Sequence, residues 1–165
     1  FEPDTVRQVL DMPGVVGLKD SSGDMDYFRR VEEITRARPD WSLMMGPEHL
    51  LVDAIGAGGD GGVCGGANLY PRLFVELYQA SAAGDEPRVG KLRAQVASLG
   101  QIYRVGRHAS AVIKGLKCAA SLLGICDDVM AEPFHRFLPR ERAKVEAILH
   151  SFHDMLADGA HATPE

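Results

Sequence analysis

The sequence predicts an α/β fold built from parallel β/α units over residues 1–83, followed by an all-helical region over residues 84–157. Three observations carry this. Short apolar runs alternate with amphipathic segments in the order α-β-α-β-α-β-α, the rhythm of β/α units. Most of the 18 glycines stand between Gly14 and Gly66, where they turn the backbone beside strands. After Ala83 the strand-like runs stop and three long helical stretches follow.

Taken in order, Pro3 to Leu10 reads as a short helix with proline in its first turn. Gly14 to Lys19 is a continuous apolar run of strand length, the pattern of a strand covered on both faces. Ser21-Ser22-Gly23-Asp24 opens a helix, with Ser21 and Asp24 at capping-box spacing, and Phe28, Val31 and Ile34 mark its apolar side. Trp41 to Gly46 is the next strand and Pro47 to about Ala57 the next helix. Asp60 to Cys64 forms a third, glycine-rich strand, and Pro71 starts a helix carrying Leu73, Phe74, Leu77 and Tyr78. Further helices are expected from Glu86 to Tyr103, from Ala109 to Leu123 and from Pro139 to Leu156. Residues 158–165 lack apolar periodicity and read as a mobile tail.

The composition narrows the function classes. The chain has 165 residues, 45% hydrophobic and 25% charged, with a formal charge of −5 and no basic run. That balance gives no electrostatic reason to expect a nucleic acid or an anionic membrane surface as partner. No apolar stretch approaches the roughly 20 residues of a membrane span, and the reading is a soluble, cytoplasmic protein. Three cysteines, Cys64, Cys118 and Cys126, form no C-x-x-C pair and read as reduced thiols.

Three parallel strands make an awkward domain, because two long edges and an apolar face stay uncovered. A closed (β/α)8 barrel takes eight strands and typically about 250 residues. The sheet is therefore expected to complete on another polypeptide, or the chain to be the C-terminal piece of a longer one. An opening at Phe1 without an initiator Met favours the second.

In β/α architectures ligands bind at the C-terminal ends of the strands. That rule selects Lys19 to Ser22, Gly46 to His49 and Cys64 to Asn68. Lys19 ends an apolar run, so its stem is expected against a dry barrel mouth. Desolvation there disfavours the ammonium form and frees the amine to attack a carbonyl; the alternative is a lysine reaching solvent at a strand end. The run Gly58-Gly59-Asp60-Gly61-Gly62 with Gly65-Gly66 brings backbone N–H groups toward an anion, or simply lets a neighbour approach; the second is favoured. His150 and His153 share a helical face at i, i+3, but no further ligand completes a metal site, so none is predicted. Glu48 and His49 are adjacent and do not face one another, and Cys64 reads as a small core residue.

At Gly17-Leu18-Lys19-Asp20-Ser21-Ser22-Gly23-Asp24 the sequence resembles the lysine strand of the dihydrodipicolinate synthase / N-acetylneuraminate lyase family of pyruvate-dependent aldolases. The likeness continues in register. Gly58 to Val63, with Gly66-Ala67-Asn68-Leu69-Tyr70-Pro71, looks like that family's last barrel strand. Gly115-Leu116-Lys117, Leu122-Leu123-Gly124 and Pro133 fit its closing helices.

The resemblance implies the C-terminal part of a (β/α)8 barrel, strands 6–8, followed by a C-terminal helical bundle. It implies that Lys19 is the Schiff-base lysine attacking pyruvate or another 2-oxo acid, with no cofactor. Ser21, Gly46, Glu48 and the backbone of Val63 fall at substrate-binding positions. Gly46-Pro47-Glu48-His49 departs from the sialic-acid branch, and Gly65 stands where that branch has serine. Lys19-Asp20-Ser21-Ser22 departs from the Lys-Glu-Ala-Thr of the lysine-biosynthesis branch. The form looks more like members acting on 2-oxo-3-deoxy sugar acids. The family's proton-shuttling tyrosine and carboxylate-binding loop belong to the first half of the barrel, so this chain alone is expected to be inactive and its full-length parent a homotetrameric lyase. Two alternatives stay open: a non-catalytic half-barrel with an interaction or regulatory role, and an oxo-acid hydratase or dehydratase of the same family.

Overall fold

A computed structural model of the chain describes residues 1–160. The helices are α1 (Pro3–Leu10), α2 (Met25–Thr35), α3 (Leu51–Gly56), α4 (Pro71–Ala83), α5 (Glu86–Leu99), α6 (Ala111–Leu122) and α7 (Pro139–Ala160). The strands are β1 (Gly17–Asp20), β2 (Ser42–Met45) and β3 (Gly61–Gly62). Helix α7 runs beyond Leu156 to Ala160, and residues 161–165 of the expected tail lie outside the described residues. The chain divides into two compact units, one of residues 1–65 and 74–90, the other of 66–73 and 91 onward.

In the first unit the three strands form a parallel sheet in the order β1-β2-β3. The register pairs Lys19 with Met44 and Asp20 with Met45, then Met44 with Gly61 and Met45 with Gly62. Gly17 permits this pairing, since a Cβ there would fall 2.5 Å from the Ser42 carbonyl oxygen. Val6 and Leu10 of α1, Phe28 and Val31 of α2, Trp41, Leu43 and Met45 around β2, and Ala54 of α3 make the core. Trp41 Nε1 donates to the Val15 carbonyl at 3.1 Å, so the one tryptophan is both packed and satisfied.

Two expectations change here. The run from Gly14 to Lys19 is not covered on both faces: Val16 is 69% exposed and only Gly17–Asp20 is strand. Among the described residues β1 pairs with β2 alone, and an edge strand receives cover from one side. The helix expected to open on a Ser21/Asp24 capping box instead has Asp24 as N-cap, its carboxylate accepting from the N–H groups of Asp26 and Tyr27. Ser22 Oγ accepts from the Asp24 N–H, and Gly23, at φ +77°, turns the chain into that cap.

In the second unit α6 buries Ala111, Gly115, Cys118, Ala119 and Ala120. Gly115 lies directly on the Ile102 carbonyl, an approach that any side chain would block. Helix α7 buries Val145, Leu149 and Phe152, spaced for one helical face. Asp128 is held between Arg136 at 3.2 Å and Arg142 at 3.3 Å. Cys126 lies past the end of α6, and Cys64, Cys118 and Cys126 are all free. No helix among the described residues is long and apolar enough to cross a membrane.

Candidate active site

The site forms where β1 and β2 end, within the first unit. The Gly46 N–H donates to the Asp20 carbonyl at 2.7 Å, and the Val63 N–H donates to the Met45 carbonyl at 2.8 Å. These bonds extend the parallel ladder one step past the strands. They bring the three segments that follow β1, β2 and β3 side by side.

Close approach at Gly46 joins the first two. A Cβ on Gly46 would stand 2.5 Å from Ser21 Oγ, 2.8 Å from the Asp20 carbonyl oxygen and 2.8 Å from Lys19 Cε. Glycine is therefore required at position 46 for Lys19 and Ser21 to lie together over the end of β2. Lys19 and Ser21 are exposed. Residues of this chain thus do not supply the dry mouth expected around the Lys19 stem, because β1 is the sheet edge. Both residues line an open cavity of about 420 Å3, together with Asp20, Ser22, Tyr27 and Arg30.

Glu48 and Cys64 occupy the other side. Glu48, in the turn after β2, is 8% exposed, and Cys64 is equally buried. Burial pushes the Cys64 thiol up to about 11; the Glu48 carboxylate adds to this and the Lys19 ammonium opposes it. The thiol is accordingly held protonated near neutral pH, as a small apolar residue would be. Val63 projects its side chain outward, 53% exposed, while its N–H is committed to the ladder.

Sequence reasoning passed over Asp20. Its side chain is buried, Oδ1 accepts the Ser22 N–H at 2.8 Å, and Oδ2 has no hydrogen-bond partner among the described residues. Its charge acts on Tyr27, whose hydroxyl is raised by burial and then by the Asp20 and Glu2 carboxylates. The signal available was a carboxylate flanked by Lys19 and the first residue of a turn. His153 has a partner other than His150: its Nε2 lies 2.5 Å from the Tyr70 hydroxyl, and Tyr70 packs edge-on against Phe152 at 4.8 Å.

The chain matches the family model described as the dihydrodipicolinate synthetase family over residues 1–152. It belongs to that family.

Among curated relatives, the 4-hydroxy-tetrahydrodipicolinate synthase of Methanospirillum hungatei is 26% identical over 147 residues, covering 89% of this chain and 49% of its own length. The enzyme of the same name from Thermomicrobium roseum is 31% identical over 150 residues, covering 90% of this chain and 47% of its own length. The solved dihydrodipicolinate synthase of Bacteroides thetaiotaomicron is 44% identical with a TM-score of 0.87, over 92% of this chain and 51% of that one. YagE, a prophage protein of E. coli K12, shares the fold at 20% identity and a TM-score of 0.80, over 92% of this chain and 51% of its own. This dihydrodipicolinate synthetase family chain thus spans about half the length of the curated relatives it matches.

Proposed function

We propose that the protein containing this chain is a class I lyase that forms a Schiff base between Lys19 and the ketone of pyruvate or another 2-oxo acid. The observation that carries this reading is the meeting of Lys19, Ser21 and Gly46 at the C-terminal end of a parallel sheet. The neutral Lys19 amine adds to the keto carbon to give a carbinolamine, whose hydroxyl takes a proton from solvent and leaves as water, giving an iminium. The iminium draws electrons from the neighbouring carbon, which loses a proton to become an enamine. That enamine attacks an aldehyde carbon, and hydrolysis returns the amine and releases the product. Cleavage is the same sequence reversed.

Residues 1–83 would then be the last part of a (β/α)8 barrel, with β1, β2 and β3 as its sixth, seventh and eighth strands, and residues 84–157 its helical appendage. The half-length match supports this placement. So does the edge position of β1, which leaves a row of backbone groups for a further strand. Ser21, Gly46, Glu48 and the Val63 backbone would bind substrate, in a parent that is a homotetramer. The names of the relatives favour the dihydrodipicolinate synthase reaction over the sugar-acid reaction expected from the sequence. A second reading, a hydroxylated 2-oxo acid substrate, is favoured by the Ser21 hydroxyl lying over Gly46 beside Lys19.

The test is borohydride reduction of the full-length protein with pyruvate, followed by peptide mapping. One reduced adduct on Lys19 is expected. An adduct on another lysine, or none, overturns the reading. Turnover with a panel of aldehydes, with and without hydroxyl groups, separates the two substrate classes.

A further inference from the structure

Within the second unit, a cleft of about 360 Å3 lies between residues 105–114 and 136–144. Arg107 and His108 line it from the segment before α6, Lys114 from α6 itself, Arg136 from the segment before α7, and Arg140 and Lys144 from the first turns of α7. Five of these are arginine or lysine, against one carboxylate on the wall, Glu141. The chain as a whole carries a formal charge of −5, so this concentration of positive charge is local.

We propose that this cleft binds a compact phosphate-bearing small molecule. Surface charges that only solvate a protein are of mixed sign, and neighbouring like charges repel. Here Arg136 bonds Asp128 at 3.2 Å, but Arg107, Lys114, Arg140 and Lys144 make no ion pair among the described residues. A bound anion relieves their repulsion. The guanidinium forks of Arg107 and Arg140 can each meet two phosphate oxygens, and the Lys114 and Lys144 side chains add positive charge for a ligand of more than one negative charge. The volume is that of a small-ligand pocket. An extended polyanion such as nucleic acid would leave the cleft and meet the net negative field of the rest of the chain. Glu141, the one carboxylate on the wall, is half-buried, its Oε2 makes no hydrogen bond among the described residues, and it opposes an incoming anion.

The experiment is isothermal titration of the full-length protein with pyrophosphate at fixed ionic strength, beside citrate and a short oligonucleotide. Saturable pyrophosphate binding is expected, weakened at least tenfold in the Arg140→Gln/Lys144→Gln double variant and strengthened in Glu141→Gln. Both neutralised cations are exposed, and an unchanged melting temperature without ligand shows that the variant is folded. Absence of saturable binding overturns the site, as does a double variant that binds like the parent. Citrate bound as tightly as pyrophosphate overturns the phosphate assignment, and tighter oligonucleotide binding overturns the compact ligand. Comparison of inorganic pyrophosphate with a sugar phosphate then separates a free anion from an organic ester.

Discussion

Gly46 closes on Lys19: a Cβ at position 46 would lie 2.8 Å from Lys19 Cε and 2.5 Å from Ser21 Oγ. The residue that carries the proposed chemistry is therefore positioned by the absence of a side chain one strand away. Gly46→Ala must push either the flexible Lys19 and Ser21 tips or the Asp20 carbonyl, which is fixed by its bond from the Gly46 N–H. Overpacking of this kind costs about 1–3 kcal/mol. The expected outcome is a modest fall in urea midpoint with a much larger fall in the rate of pyruvate trapping on Lys19. Equal losses in both would mean that Gly46 only packs.

Lys19→Arg keeps the charge and removes the nucleophile. Because Lys19 is exposed, stability should stay within about 0.5 kcal/mol while the borohydride adduct and turnover disappear. Thermal unfolding and intact mass read the two effects separately. A trapped adduct in Lys19→Arg would move the Schiff base to another lysine.

Asp24 starts α2 by accepting from Asp26 N at 2.9 Å and Tyr27 N at 3.1 Å. Asp24→Ala should cost about 1 kcal/mol, the usual value of an N-cap. Ser21→Ala should cost much less, since Ser21 does not cap this helix. Equal losses in chemical denaturation would restore the capping box that the sequence suggested.

Cys64 provides a pH signature. Its thiol is held near 11 in the folded chain, against 9.0 for a free thiol. Between these values the unfolded chain has lost the proton while the folded one keeps it, so stability falls as pH rises from about 9 to about 11. Below 9 this contribution is constant. Other groups titrate in the same range, so the check is the difference between the parent and Cys64→Ala, whose stability curve should fall less steeply there. At pH 8 a thiol reagent should modify exposed Cys126 well before buried Cys64 and Cys118.

How much of this was legible beforehand follows from the range over which each feature is encoded. Helix α1 from Pro3, the strand that carries Lys19 and the long helix from Pro139 are written in neighbouring residues, because periodicity, proline and glycine act within a few positions. The motif around Lys19 was equally local. Other features depend on partners far along the chain. Asp24 rather than Ser21 caps α2 because Gly23 turns the backbone there, and exposed His153 meets Tyr70, which lies 83 positions earlier in the chain.

The same distinction divides the site. Sequence alone established the order of β/α elements and the lysine at a strand terminus, since both are properties of contiguous residues. Folding brought Gly46 onto Lys19 and Ser21, buried Asp20 and Glu48, and left Lys19 in the open. Those outcomes rest on strand register and on which surfaces are covered. Both are set by hydrogen bonds and packing between residues that are distant in sequence, and no window of neighbours contains them.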